Sequence, residues 1–145
     1  MKTKRLFAIC FFLFGTMILQ AQELKPFEDE NGKYGYKNNE GDVVIIPKYD
    51  HAEDFSEGLA VVGLNFKTSS GWYDTKYGYI NESGEEVIQI IYVYASDFKN
   101  GTASVQLIRP TLTESEANSE HRGSIIAEKI DELTYYIDKT GKRVN

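Results

Sequence analysis

The chain repeats itself in ungapped register, which bounds the fold more tightly than any other feature. Lys33-Tyr34-Gly35-Tyr36 returns as Lys76-Tyr77-Gly78-Tyr79, 43 residues further on. The same shift carries Gly41 to Gly84, Val44-Ile45 to Val87-Ile88, Tyr49 to Tyr92, Ala52 to Ala95 and Asp54-Phe55 to Asp97-Phe98. It continues through Gly58 to Gly101, Ala60 to Ala103, Val62 to Val105 and Leu64 to Leu107. A third, shorter echo runs from Leu133 to Val144, with Gly141 lying 57 residues beyond Gly84. Its additional spacing falls between Arg109 and Glu132. Repetition at this period means a small supersecondary unit that buries its apolar face against its neighbours.

Within each unit the apolar positions are β-branched or aromatic, and the segments between turn signals are too short for helices. Tyr34 and Tyr36 alternate with Gly35 and Lys37, as Tyr77 and Tyr79 do with Gly78 and Ile80, so each pair of tyrosines shares a face. Asn38-Asn39-Glu40-Gly41, Asn81-Glu82-Ser83-Gly84 and Asp138-Lys139-Thr140-Gly141 each place Asn or Asp three residues before Gly, the pattern of a side-chain-stabilised turn. Short strands are expected at Val43 to Ile46, Val87 to Ile91 and, truncated, at Val144. Tyr49 to Gly58 reads as a packed loop whose Phe55 plugs the core, as Phe98 does in the second unit. Third strands are expected at Leu59 to Leu64 and Thr102 to Ile108, each pairing with the first strand of the following unit. The recurring tyrosines, Tyr34, Tyr36, Tyr77, Tyr79, Tyr135 and Tyr136, are expected in core and cross-strand packing.

The units differ most at their junctions. Phe66 to Trp72 reads as a lengthened hairpin with Ser69-Ser70-Gly71 at its tip and Phe66 paired with Trp72 across it. Trp72 and Tyr73 have no counterpart elsewhere in the repeat, and with Phe66 they form the candidate recognition site. The second junction, Arg109 to Glu132, begins with the polar run Thr113 to Glu120. In it Ser124 to Ile130 fits the returning arm of a hairpin better than a short helix capped by Ser124.

Residues 1 to 21 have a basic start at Lys2, Lys4 and Arg5, an apolar run from Leu6 to Leu19, and the sequence Gln20-Ala21-Gln22. That layout is a secretory signal, expected to be cut after Ala21. The run falls short of the roughly 20 apolar residues that span a bilayer, and no transmembrane segment is expected after cleavage. Cys10, the only cysteine, lies inside the run, so disulfides and thiolate metal sites are excluded from the mature protein. Removing three basic residues while every acid stays takes the formal charge from −6 to −9. An acidic chain without a Lys/Arg cluster repels phosphate backbones, so nucleic acid is excluded as a partner.

No catalytic, cofactor or metal site is read from the residues. The two histidines, His51 and His121, fall on a repeat surface and in the polar junction, far from any constellation that would orient a base. The Asn/Asp turns fit a structural role better than a calcium loop. Asp50, Glu53, Asp54 and Glu57 become Val93, Ser96, Asp97 and Asn100 in the copy, as expected of a solvated loop.

The series Gly32-Lys33-Tyr34-Gly35-Tyr36, the Asn-x-x-Gly turn, Val44-Ile45-Ile46-Pro47-Lys48-Tyr49-Asp50, Ala52, Phe55-Ser56-Glu57-Gly58-Leu59-Ala60 and Val62 resembles a WG (KWG) repeat. The family's usual Trp is Tyr34 and Tyr77 here, Pro47 becomes Ile90 in the copy, and Tyr135 takes the place of Gly in the third unit. The resemblance implies a structural motif without catalytic residues, in exported bacterial proteins presumed to mediate binding.

The combined expectation is an all-β repeat array of short antiparallel strands and hairpins, about two and a half WG-type units in one domain over residues 22–145. Unit one covers 31–75, unit two 76–132 with its long junction 109–132, and the partial third unit 133–145. The expected function is a non-enzymatic binding module, periplasmic or extracellular, whose partner is a protein or another cell-envelope component. Its alternative is an array that self-assembles into a homo-oligomer, or is completed by a partner, through strand edges. An extracellular hydrolase ranks last.

Overall fold

Residues 23–107 and 114–144 are described from a computed structural model. The leader expected at residues 1–21 lies outside them. Among the described residues five turns of one kind separate the strands: Asp29–Gly32, Asn38–Gly41, Thr68–Gly71, Asn81–Gly84 and Asp138–Gly141. In each the Gly N–H donates to the first residue's carbonyl at 2.9–3.1 Å, and the first residue's N–H donates to the carbonyl after the Gly at 2.7–3.0 Å. The glycines hold φ between +74° and +90°, where a Cβ would be strained. At the three turns expected from sequence, Oδ1 of Asn38, Asn81 and Asp138 accepts two backbone N–H groups, those of Glu40 and Asp42, Ser83 and Glu85, and Thr140 and Lys142.

The strands are β1 (Lys25–Glu28), β2 (Tyr34–Lys37), β3 (Val43–Tyr49), β4 (His51–Ala52), β5 (Leu59–Lys67), β6 (Tyr73–Asn81), β7 (Glu86–Tyr92), β8 (Tyr94–Ala95), β9 (Thr102–Gln106), β10 (Tyr135–Asp138) and β11 (Arg143–Val144). They form three antiparallel sheets: A with order β1-β2-β3, B with β4-β5-β6-β7, and C with β8-β9-β10-β11. Each sheet joins the end of one unit to the start of the next, the hairpin pairing expected from sequence. β1 precedes the first sequence unit and pairs with β2 as β5 pairs with β6.

Sheet B lies between the other two and is buried on both faces. Leu59 and Val61 of β5 enter one core with Tyr79, Ile88, Tyr92, Phe98, Ala103, Val105 and Ile137. Ala60 and Val62 enter the other with Leu24, Tyr36, Ile45, Tyr49 and Ile80. Alternation along a strand therefore feeds two cores instead of one core and solvent. Phe55 packs on Tyr36 with ring centroids 4.8 Å apart, and Phe98 on Tyr79 at 4.9 Å. The two tyrosine hydroxyls donate to Glu53 O and Ser96 O, both at 2.8 Å. Burial pushes both phenols well above the usual tyrosine range.

The outer faces of the stack are polarised where sheet B is apolar. On sheet A, Lys37 and Lys25 hold the positions of Ile80 and Ala60, and Lys37 Nζ sits 4.1 Å over the Phe27 ring. On sheet C, Thr102 and Ser104 hold the positions of Leu59 and Val61. Both outer faces thus carry polar residues at positions that are apolar in sheet B.

Several expectations are corrected. Ser124 to Ile130 is not a strand but lies in helix α2 (Arg122–Leu133), preceded by the short α1 (Glu114–Ala117). β9 is already paired with β8 and β10 and cannot take a returning strand as well, and the segment satisfies its backbone within a helix instead. Its N-cap is His121, without a side-chain cap, rather than Ser124. Phe66 opposes Asp74, not Trp72, which closes the turn opposite Thr68. Tyr36 and Tyr79 are fully buried as expected, but Tyr136 is exposed because the face it occupies is the outer face of sheet C. Asp50 of the expected solvated loop is mostly buried. It accepts from Lys33 Nζ and, at 2.9 Å, from the Asn65 N–H.

Candidate functional site

The junctions between β1 and β2, β5 and β6, and β9 and β10 are equivalent positions of the repeat, and they grow along the stack. The first is the tight Asp29–Gly32 turn, the second a hairpin of two nine-residue strands, and the third carries α1 and α2. In the second, Lys67 opposes Tyr73 and the Thr68–Gly71 turn forms the tip. Thr68 Oγ1 donates to Trp72 O at 2.9 Å, and Thr75 Oγ1 to Asn65 Oδ1 at 2.7 Å. The base is fixed by the Asn65–Asp50–Lys33 chain of hydrogen bonds. On Asp50 burial works upward, but the Lys33 ammonium and the Asn65 N–H outweigh it and hold the carboxyl below the usual range.

This frame presents all three sequence-predicted residues to solvent. Trp72 is 77% exposed, Tyr73 70% and Phe66 48%. Strand alternation puts Phe66 and Tyr73 on opposite faces of the hairpin, so the aromatic surface wraps the tip instead of forming one strip. Exposed aromatics on a rigid, hydrogen-bonded hairpin add area for a partner without losing much conformational freedom on binding.

The fold assembles a second concave feature that sequence reasoning missed. Tyr94, Ser104, Gln106, Ile130, Thr134 and Tyr136 line a groove of about 410 Å³ between the outer face of sheet C and the C-terminal turn of α2. Gln106 takes the position of Gly63, and Tyr94 that of His51. Gln106 is only 7% exposed, and its Nε2 donates to Thr134 Oγ1 at 2.7 Å and Ile130 O at 3.3 Å. Thr134 Oγ1 spends its own proton on Ile130 O at 2.6 Å, so the Gln106 amide must present its nitrogen to the helix end. The exchange of apolar Val61 and Gly63 for Ser104 and Gln106 in the copy is the sequence signal that this face had changed its surroundings.

The remaining candidates lie on strand β4, at the start of α2 and in the turns. His51 Nε2 lies 3.0 Å from Glu53 Oε1, with its ring edge-on to Tyr77. His121 caps α2 and is exposed. Glu57 accepts from the Gly101 N–H at 3.0 Å and pairs with Lys139 at 3.2 Å, which ties three turns together. The Gly101 bond and then Lys139 lower its carboxyl. Asp97 is raised, first by burial and then by Glu53 beside it. Among the described residues no group of three or more His, Cys, Asp or Glu side chains is placed to hold a metal ion. No helix among them is long and apolar enough to cross a membrane.

A stack of repeated antiparallel sheets, locked by shared turns and displaying aromatic residues at an enlarged junction, defines an all-β repeat scaffold. The WG containing repeat family matches residues 34–65 and 77–107, one span within each of the first two units. The chain is a WG-repeat protein. No curated protein and no solved structure matches it.

Proposed function

We propose that this WG-repeat protein is an exported, non-enzymatic interaction module that works in the periplasm or outside the cell and binds a protein or another cell-envelope component. The sheet stack is the scaffold, and the β5–β6 hairpin tip carrying Phe66, Trp72 and Tyr73 is the recognition element. The observation that carries this reading is Trp72, 77% exposed on a hairpin extension that the tight β1–β2 turn shows the repeat does not need. Export rests on the basic-then-apolar layout of residues 1–21. The test is affinity capture from envelope and culture-fluid extracts with the wild-type chain beside Trp72→Ala and Tyr73→Ala. A partner lost in both variants, with melting temperatures unchanged, supports the reading. Retention of every partner by both variants refutes it.

A second reading, self-association through strand edges, draws on β3 and β7. They are edge strands of seven residues each, with Val43, Val44, Ile46, Val87 and Ile91 exposed. The polar outer faces of sheets A and C work against face-to-face continuation of the stack, so the edges are the route for assembly. Sedimentation of wild type and Ile46→Lys decides it: a concentration-dependent oligomer that the lysine abolishes supports this reading, and a monomer throughout removes it.

A further inference from the structure

The Phe66–Tyr73 tip has three features that a partner lying flat against it would leave unused. The first is that its aromatic surface faces both ways. Phe66 pairs with Asp74 on one face of the β5–β6 ribbon and Tyr73 with Lys67 on the other, while Trp72 closes the turn. A partner on one face leaves the other in water, whereas a medium that surrounds the tip covers all three rings.

The second is reach. By register Gly63 holds the position of Glu28, where β1 ends, and β5 continues four residues further to Lys67. The tip therefore stands about 13 Å beyond the equivalent turn of the first copy, at about 3.3 Å per residue. From Asn65 to Tyr73 every residue except Thr68 is exposed. The chain has a formal charge of −6, but at the tip Asp74 is paired with Lys76 at 3.1 Å, and Lys67 leaves residues 64–76 with one positive charge. Screening at physiological salt acts within about 8 Å, so a surface touched by the tip meets Lys67 rather than the acidic body.

The third is the backbone. The ladder runs unbroken from Leu59 opposite Asn81 to Lys67 opposite Tyr73, and the turn closes with the Thr68 N–H on Trp72 O at 2.7 Å and the Gly71 N–H on Thr68 O at 3.0 Å. Internal pairing of this kind lowers the cost of entering a less polar layer. The outer edges of the ribbon limit the depth. β4 pairs with β5 only at Val62 and Gly63, and β7 reaches β6 only as far as Tyr77, so beyond them the outward N–H and C=O groups must stay within reach of water.

We propose that the tip docks on a lipid bilayer, with Phe66, Trp72 and Tyr73 at the boundary of headgroups and acyl chains and Lys67 among the lipid phosphates. Trp and Tyr favour that layer because their rings are apolar while the indole N–H and phenol O–H still find polar partners there. The proposal rests on the tip being the recognition element and names what it recognises.

Trp72 is the only tryptophan of the chain, so its emission reports on the tip alone, whatever residues 1–21 do. The test is titration of the full chain with vesicles of phosphatidylethanolamine and a minority of phosphatidylglycerol, beside vesicles of phosphatidylcholine alone. Trp72 emission should shift to the blue and lose its quenching by iodide. Lipids brominated near the carbonyl end of the acyl chain should quench it, and lipids brominated near the methyl end should not. Tyr73→Ala and Phe66→Ala should each raise the lipid concentration at half-shift about tenfold, the scale of roughly 60 Å² of aromatic surface leaving water. Lys67→Gln should raise it about fivefold on the anionic vesicles and leave phosphatidylcholine unchanged. All three positions are exposed, so the variants should melt as wild type does. The proposal is overturned if Trp72 emission moves with neither vesicle, or if it moves and none of the three substitutions displaces the midpoint. An unmoved Trp72, together with an envelope protein that wild type captures and Trp72→Ala and Tyr73→Ala lose, overturns the lipid while the tip remains a recognition element. An unmoved Trp72 with every captured partner retained by both variants removes the two readings together.

Discussion

Replacing Gly78 by alanine should unfold the chain more readily than any other single methyl addition at its glycines outside unit one. A Cβ at this position would lie 2.6 Å from Ile88 O, 2.7 Å from Gln89 O and 2.8 Å from Gln89 C. A carbon approaches a carbonyl oxygen comfortably at about 3.3 Å, so β7 must withdraw by roughly 0.7 Å, and hydrogen bonds near 2.9 Å would stretch past useful length. Losing two such bonds costs about 2 kcal/mol, and the displaced packing of Ile88 and Tyr92, each 5% exposed in the core, adds about 1–2 kcal/mol. The expected total is about 3–4 kcal/mol, read as a shift of the guanidinium midpoint at constant slope. Gly41→Ala is the control: nothing lies within 4 Å of its Cβ, but φ is +90°, so only the left-handed penalty of about 1–2 kcal/mol applies. If Gly78→Ala loses no more than Gly41→Ala, the steric reasoning is wrong.

Three further outcomes follow from the packing and the charges. Phe98→Ala should cost about 3–5 kcal/mol and half-buried Phe55→Ala about half of that in chemical denaturation, and a reversed order would contradict the burial seen at the two sites. Asp97 is raised in the folded state, so its contribution favours folding below its unfolded pKa and is lost as pH rises through the folded value. Asp97→Asn should therefore stabilise the protein at pH 7 by about 0.5 kcal/mol after allowance for solvent screening, and the gain should vanish in acid; an undiminished gain at pH 3 would exclude the Glu53–Asp97 explanation. Glu57 and Asp138 are lowered instead, the first by the Gly101 N–H and Lys139, the second by Thr140, so stability supported by these turns is present above the unfolded carboxylate pKa and lost as pH falls through the folded values. Thermal melts of Glu57→Gln should show a smaller loss on acidification than wild type, and equal losses would remove that link.

What the linear chain determined is its local grammar. An Asn or Asp three residues ahead of a glycine makes its turn from its own side-chain oxygen, so Asn38, Asn81 and Asp138 could be read without knowing their surroundings. The 43-residue register likewise marked Phe55 and Phe98 as equivalent core plugs, and the structure packs both on tyrosines, because equal sequence in equal units makes equal contacts. The hairpin tip with Trp72 was legible as the place where one unit departs from the other. Tertiary structure decided which face of each sheet meets solvent. Tyr79 and Tyr136 occupy the same pattern, yet one is buried and the other exposed, because burial depends on whether another sheet stacks above. The same non-local choice turned Ser124 to Ile130 into helix, since the strand it would have joined already had both partners, and it brought Gln106, Ile130 and Tyr136 to one groove from three separate elements.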